Sequence, residues 1–255
     1  MKTLAKHWQR IAVTLLPLVL VLLHATDVVP LGTMQRLDDV IYDARLRATM
    51  PNTLDERIVI VDIDEKSLAE VGRFPWGRNK LGRLVDVLFS QQQVAMLGFD
   101  IVFAEPDDSS GLARLQELAS NEFKDQAGFA ERVRQLQPEL DYDALFGKLL
   151  ESRPIVLGYY FSSDGDGRTA GVLPLPVLAK SDLGGRSLGA YSWTGYGSNI
   201  DVLAKAAPLA GHFNTTPDID GVVRSLPLLA EYNDQYYESL ALAMFRRLAG
   251  SPKVV

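Results

Sequence analysis

The fold prediction starts from residues 58–64, which read IVIVDID. Such a nearly continuous β-branched run is typical of a strand that is buried on both faces. Residues 79–92 carry apolar side chains at helical spacing, and residues 94–103, VAMLGFDIVF, have the pattern of a second buried strand. A strand, a helix and a strand in this order predict a parallel pair with a right-handed crossover. We therefore predict an α/β fold with a mixed, mainly parallel sheet flanked by helices.

The remaining elements extend this prediction. A short helix is expected at 66–71, and residues 111–150 are predicted to form a polar helical excursion. Residues 162–200 are rich in Gly, Ser and Asp, a composition typical of loops. A last helix is expected from 238 to 249, with Gly250 as its C-cap. Three further strands are predicted, at 155–161, 222–229 and 231–237.

The N-terminal segment has the composition of a membrane-spanning helix. Residues 11–31, IAVTLLPLVLVLLHATDVVPL, contain only His24 and Asp27 as readily ionised groups. A cleaved signal peptide is the alternative, but no clean small-x-small cleavage site follows the apolar centre. We predict one uncleaved transmembrane helix within residues 1–31 and a separate domain in residues 32–255.

The charges around this segment predict its orientation. Lys2, Lys6 and Arg10 precede it, and the positive-inside rule places them in the cytoplasm. The domain that follows is then extracytoplasmic or periplasmic, held at the inner membrane by a single pass. No later stretch offers about 18 uninterrupted apolar residues. We therefore expect the end of this chain to stay on the outer side, so that this chain alone does not return a signal to the cytoplasm.

Residues 33–49 are predicted to form an amphipathic helix directly after the membrane segment. Leu37, Ile41 and Ala44 share one face of it, and most of the charged side chains lie elsewhere. A helix so close to the membrane segment is expected to move with it, as a lever between the domain and the membrane.

Residues 211–224, GHFNTTPDIDGVVR, predict a rigid turn. Pro217 restricts φ, Asp218 and Asp220 are able to bond their own backbone, and Gly221 supplies a positive φ before the next strand. A structural turn is the plainer interpretation. The same residues, with Asn214 and Arg224, are also placed where a ligand or a partner could meet them.

Four stretches of the chain resemble the second class of CHASE domains, which are bacterial extracytoplasmic sensors. They occur in the order found in that family and span roughly residues 33–250. The resemblance implies that an output domain, such as a nucleotide cyclase, a histidine kinase or a Ser/Thr kinase, lies downstream of the sensor. The four stretches are LDDVIYDARLR (37–47), GRFPWGR (72–78), GFDIVFAEPD (98–107) and NTTPDIDGVVR (214–224).

Composition argues against several classes of function. The 255 residues have a formal net charge of −6 and no clustered excess of Lys and Arg beyond the first turns, which argues against nucleic-acid binding. The absence of cysteine removes thiol nucleophiles and thiolate metal sites. Of three histidines only His212 lies in the domain, and no Gly-x-Ser-x-Gly elbow accompanies it. We expect no catalytic residues, no metal and no cofactor.

The candidate ligand-binding residues lie in the loops after the predicted strands and in the turn. Acidic residues at the ends of the first two predicted strands form an acidic rim, defined as Asp62, Asp64, Asp100, Glu105, Asp107 and Asp108. In open α/β sheets this edge binds ligands, although acidic residues in such loops are also ordinary helix caps. The candidates are Arg73, Trp76, Arg78, Asp100, Glu105, Asn214, Asp218, Asp220 and Arg224.

These observations predict a membrane-anchored sensory input domain, a homodimer that binds an unidentified extracytoplasmic ligand. Two alternatives remain open at this point. One is an extracytoplasmic metal-dependent hydrolase that uses the acidic rim. The other is an envelope protein that binds a protein partner through residues 111–150.

Overall fold

A computed structural model describes residues 2–26, 28–29, 31–51 and 53–254 of the chain. Asp27 and the side chains of Lys2, Lys6 and Arg10, which enter the membrane prediction, lie outside this description. The chain divides into two compact units. The first comprises Met1–Asp62 and Pro217–Val222, and the second comprises Ile63–Thr216 and Val223–Val255.

Helices predominate up to Leu150, and every strand in the described residues except the one at Leu97–Gly98 follows that point. The helices are α1 (Lys2–Ala25), α2 (Gly32–Thr49), α3 (Glu65–Val71), α4 (Arg78–Ser90), α5 (Leu112–Ser120), α6 (Ala127–Leu140), α7 (Tyr142–Leu150), α8 (Asp201–Ala206) and α9 (Leu240–Leu248). The strands are β1 (Leu97–Gly98), β2 (Ile155–Ser162), β3 (Thr169–Ala170), β4 (Leu178–Ala179), β5 (Gly195–Gly197), β6 (Ala210–His212), β7 (Leu229–Tyr232) and β8 (Gln235–Glu238). A 3₁₀ helix spans Lys180–Leu183.

The smaller unit contains α1, α2, an irregular segment and the turn at Pro217–Val222. The predicted helix at 33–49 is confirmed as α2. The predicted turn is confirmed too, because Gly221 has a φ of +82° and its N–H donates to the carbonyl of Asp218 at 2.9 Å.

The predicted transmembrane helix is not found. Among the residues described, no helix is both long and apolar enough to cross a membrane. Helix α1 ends at Ala25, whereas the predicted span continues to residue 31. Its apolar part, residues 11–25, is short against the roughly 20 residues that a bilayer requires.

The prediction of a buried strand at 58–64 is wrong. These residues form no strand, and Ile58, Val59, Ile60 and Val61 are exposed, Ile60 by 87%. A β-branched run favours an extended backbone, but a strand also needs a neighbour to bond. No strand in the described part of the chain pairs with this segment.

The larger unit is built on a mixed sheet whose central strand is β2. Strands β1 and β6 both pair with β2 in parallel, β3 pairs with β5 in parallel, and only β5 pairs with β2 antiparallel. A second, antiparallel sheet has the order β4-β8-β7. The α/β class and the mostly parallel main sheet are therefore confirmed.

Strand lengths differ from the prediction. The expected strand at 94–103 is reduced to β1, because Phe103 turns away and its N–H donates to the side chain of Asn199 at 2.9 Å. The expected strand at 222–229 begins only at Leu229. Asn233 and Asp234, both with positive φ, close a tight turn between β7 and β8 where one strand was expected.

The core lies between β2 and the helices α4, α7 and α8. The first five residues of β2 are buried, as expected for a strand with neighbours on both sides. Phe99, Phe103 and Phe146 pack edge to face against one another beside it. The helices predicted in 111–150 are confirmed as α5, α6 and α7, but α7 does not lie on the surface as a polar excursion would, because it brings Phe146 and Leu150 into the core.

Candidate functional site

Three of the predicted ligand residues line one pocket of about 310 Å³ in the larger unit. We call it the Arg78 pocket. Trp76 and Arg78 come from the loop before α4 and its first residue, and Glu105 comes from the loop after β1. Arg73 and Asp100 are exposed and do not belong to the lining, so the structure brings together only part of this predicted set.

Local packing holds the loop before α4 in place. Trp76 is 8% exposed, and its indole N–H donates to the carbonyl of Gly72 at 2.7 Å. At Gly77 a Cβ atom would lie 2.5 Å from the Oγ of Ser109. A side chain at this position would force the Ser109 hydroxyl to move away from the start of α4.

Arg78 is engaged on every side. Its Nη2 donates to the carbonyl of Glu105 at 2.8 Å, and its guanidinium lies 4.7 Å from the centre of the Phe103 ring. Its backbone N–H donates to the carboxylate of Asp107. Its Nε lies 3.3 Å from Oδ1 of Asp143, an ion pair without hydrogen-bond geometry. These contacts join α4, the 104–109 loop and α7.

The two carboxylates around Arg78 have opposite pKa shifts. Burial raises the pKa of Asp107, but hydrogen bonds from Ser109 and from the backbone of Arg78 outweigh it and bring the pKa below its ordinary value. Burial also raises the pKa of Asp143, and there it outweighs the N–H of Asp107 and the charge of Arg78. Asp107 therefore caps α4 as a carboxylate, whereas burial disfavours the charged form of Asp143.

The acidic rim does not assemble into a metal centre. Within the described residues, no group of three or more His, Asp or Glu side chains is placed to hold a metal ion. Asp64 caps α3, accepting the N–H of Ser67 at 2.8 Å and its hydroxyl at 2.6 Å. Asp107 caps α4. Helix capping, the plainer interpretation of these residues, accounts for both.

The predicted residues of the 211–224 segment fall into both units. Asp218 and Asp220 belong to the smaller unit, where Asp220 accepts the N–H of Val222 at 3.0 Å. Asn214 and the half-buried Arg224 belong to the larger unit. The Asn214 amide donates to the carbonyl of Phe161 and accepts its N–H, both at 2.8 Å. Asn214 thus continues the bonding of β2 beyond its partner β6.

His212 occupies the core beside β2. It is fully buried, its ring centroid lies 6.4 Å from that of Tyr159 and 5.9 Å from that of Phe161, and within the described residues neither ring nitrogen has a hydrogen-bond partner. Burial lowers the pKa of His212 to about 4. The imidazole is therefore neutral at pH 7, as a packed core side chain.

Sequence reasoning missed a larger pocket of about 490 Å³ in the same unit. We call it the Arg246 pocket. Its walls are mostly aliphatic and come from the 172–177 loop, from α8 and the residues after it, and from the segment after α9. Its volume lies in the range of small-molecule sites, about 300–1,000 Å³. The Leu-Pro-Leu-Pro run at 173–176 was its one local signal.

An ion pair forms the polar end of the Arg246 pocket. Nη1 of Arg246 lies 2.6 Å from Oε2 of Glu238, and the side chains are 18% and 10% exposed. Nε and Nη2 of Arg246 both donate to the carbonyl oxygen of Pro252, at 3.1 and 3.0 Å. Few aqueous contacts compete with such a pair, so it fixes the guanidinium against the apolar wall.

Comparison with known proteins identifies the family. The family model of the CHASE2 domain matches residues 13–254. No curated protein and no solved structure is significantly similar to the chain.

Proposed function

Because the chain belongs to the CHASE2 domain family, whose members are extracytoplasmic sensory modules of cyclases and kinases, we propose that it is the input domain of a signal-transduction receptor. It binds an extracytoplasmic ligand and passes the resulting change across the membrane to a cyclase or kinase output domain. The observation that carries the proposal is the extent of the family match, from residue 13 to residue 254.

The surface of α1 supports attachment to the membrane. Every residue of α1 from Ala12 to Leu22 is exposed, and nearly all of these side chains are apolar. An apolar surface around a whole helix is typical of helices that contact lipid or protein on all sides. We propose that lipid covers α1 and holds the sensory domain at the inner membrane.

A histidine links α1 to α2 inside the smaller unit. The Nδ1 of His24 accepts the N–H of Leu31 at 3.2 Å, so the neutral ring carries its proton on Nε2, which lies 3.2 Å from Oδ2 of Asp38. This contact supports a lever in which α1 and α2 move together. A ligand operates the lever only if it binds one of the two arrangements more tightly than the other.

The apolar face of α2 supports a homodimer. Leu37, Val40 and Ile41 are all exposed, and α2 has no buried residue. An amphipathic helix normally buries such a face against another element. We propose that the α2 helices of two copies pack against each other through this face.

Reporter fusions test the location of the domain. Alkaline phosphatase is active only outside the cytoplasm, whereas green fluorescent protein exported by the Sec route does not fluoresce. We expect a phosphatase fused after the domain to be active and the fluorescent fusion to be dark, both in the membrane fraction. The reverse pattern would contradict an extracytoplasmic sensor.

Cysteine crosslinking tests the lever and the dimer. The chain has no native cysteine, so single substitutions at Leu37 and Ile41 give an unambiguous signal. Gln35→Cys, about half a turn away from this face, is the control. We expect crosslinks at 37 and 41 whose yield changes when the small-molecule fraction of spent growth medium is added. Equal yields with and without that fraction at every position would rule out the lever.

A further inference from the structure

We infer that the Arg246 pocket binds a small organic monocarboxylate with an aliphatic body, and that this ligand competes with residues 251–254 for Arg246. This inference rests on the proposed sensory function and names the ligand class and the site. The pocket lies wholly within the larger unit.

The polar end of the pocket already presents the geometry that recognises a carboxylate. A guanidinium binds a carboxylate best along one edge, with two parallel N–H donors. Here the Nε and Nη2 edge of Arg246 holds a single oxygen, the carbonyl of Pro252, at 3.1 and 3.0 Å. The opposite donor, Nη1, is fixed by Glu238 at 2.6 Å. A carboxylate would offer this edge two charged oxygens in place of one neutral oxygen.

The charge of the lining favours an anion. Arg246, Lys205 and Lys253 carry three positive charges, and Glu238 and Asp201 carry two negative charges, which leaves a net charge of +1 around the pocket. The whole chain has a formal net charge of −6, so the pocket differs in sign from the protein that surrounds it. One carboxylate brings the lining to neutrality, whereas a dianion would overshoot it.

The apolar walls of the pocket favour an aliphatic body on the ligand. Leu157, Leu173, Val177 and Leu209 belong to the lining together with several Ala and Pro residues. Such walls provide little hydrogen bonding and favour an aliphatic body. The 490 Å³ volume accommodates a medium-length chain.

Residues 251–254 are placed to respond to the ligand. Gly250 and Ser251 both have positive φ, +84° and +58°, and this double turn folds the segment back so that Lys253 and Val254 line the pocket. The carbonyl of Pro252 is the group that a carboxylate would replace. Binding therefore displaces the Pro252 carbonyl from Arg246 while Lys253 stays beside the pocket, which converts occupancy of the pocket into a change at the end of α9.

Titration with octanoate tests the inference. The full chain is titrated with octanoate and with octan-1-ol, which has the same body and no charge, by isothermal calorimetry. We expect octanoate to bind at least about tenfold more tightly than octan-1-ol. A fluorophore on Ser251→Cys should change its emission with the same midpoint.

Two pocket variants and one control variant locate the binding. Ala204→Phe fills the pocket, and Ala241→Phe adds the same group on the exposed face of α9, outside the lining. The pair Glu238→Gln with Arg246→Gln removes both charges together, since Arg246→Gln alone would leave Glu238 buried and unpaired. We expect Ala204→Phe and the double variant each to weaken octanoate binding at least about tenfold, and Ala241→Phe to leave it unchanged.

The inference is overturned if octanoate does not bind, if octan-1-ol binds equally well, or if either pocket variant leaves the affinity unchanged. An unchanged label signal at saturating octanoate would overturn the competition with residues 251–254. The fusions and α2 crosslinks test the sensory function separately. A normal crosslink response with no octanoate binding would overturn this inference alone.

Discussion

Asp143 holds Arg78 and the 104–109 loop together with the two oxygens of one carboxylate. Its Oδ1 lies 3.3 Å from Nε of Arg78, and its Oδ2 accepts the N–H of Asp107 at 2.7 Å. The arginine and the carboxylate are 11% and 12% exposed. Arg78 therefore has a structural role in a set of loops whose sequence suggested a ligand clamp.

The hydrogen bond to Asp107, rather than the charge, is expected to dominate the contribution of Asp143 to stability. Burial raises the pKa of Asp143 in the folded protein, so its contribution to stability is present at low pH and declines as the pH rises through the folded pKa. Asp143→Asn keeps an oxygen for the N–H of Asp107 and should cost less than about 1 kcal/mol at pH 7. Asp143→Ala leaves that N–H unsatisfied and should cost about 1–3 kcal/mol. Urea unfolding measures both, and equal losses would contradict the argument.

His212 should make the stability of the fold depend on pH between about 6.5 and 4. Because burial lowers its pKa from 6.5 to about 4, the unfolded chain binds a proton in this range that the folded protein does not. The stabilising contribution is complete above pH 6.5 and is lost progressively as the pH falls to about 4. The loss is on the order of 3 kcal/mol.

Substitutions at His212 isolate this effect. His212→Phe and His212→Gln both remove the titrating group, so both should flatten the dependence of the unfolding free energy on pH in this window. His212→Phe also removes two unpaired polar nitrogens from the core and should cost little at pH 7. A slope unchanged in both variants would assign the dependence to other groups.

Local sequence patterns predicted the helices well, whereas the pairing of the strands depended on residues far apart in the chain. Helices α2, α4 and α9 appeared where the apolar spacing placed them, because helical bonds close within four residues. The run at 58–64 indicated an extended backbone correctly but contained no information about a neighbouring strand. Sheet pairing depends on residues far away in the chain, which no local pattern reports.

The candidate site, too, was predicted only where a local motif marked its residues. The stretch GRFPWGR at 72–78 marked Trp76 and Arg78 as unusual, but Asp143, which holds Arg78, lies in a distant helix with no matching signal. The Arg246 pocket draws its lining from several separate segments between Leu157 and Val254. Its assembly depends on the whole fold of the larger unit, so no single motif predicted it.

Asn214 is expected to stabilise the fold rather than to contact a ligand directly. Its amide pairs with both backbone groups of Phe161, and Asn214→Asp keeps the acceptor but loses the donor. We expect this substitution to cost about 1–3 kcal/mol. The same exchange at the exposed Asn121, after α5, should change stability by less than about 0.5 kcal/mol. If the two variants unfolded at the same urea concentration, Asn214 would have no structural role, and its role as a predicted ligand-binding residue would stand.

Gly211 should be the least replaceable glycine of the 211–224 segment. A Cβ atom there would lie 2.4 Å from Cα and 2.5 Å from N of Leu240, in the backbone that begins α9. Backbone atoms cannot rotate away as a side chain does, so β6 and α9 would have to separate. We expect Gly211→Ala to cost about 3 kcal/mol.

Gly165→Ala is the matched control for this substitution, because Gly165 is exposed and has no atom within 4 Å of the added Cβ position. It should change stability by no more than about 0.5 kcal/mol. Urea unfolding monitored by far-UV circular dichroism compares the two variants. If Gly211→Ala were as stable as the control, the close packing of β6 on α9 would be wrong. The Arg246 pocket would then lack rigid walls, because Ala210 in β6 and Arg246 in α9 both line it.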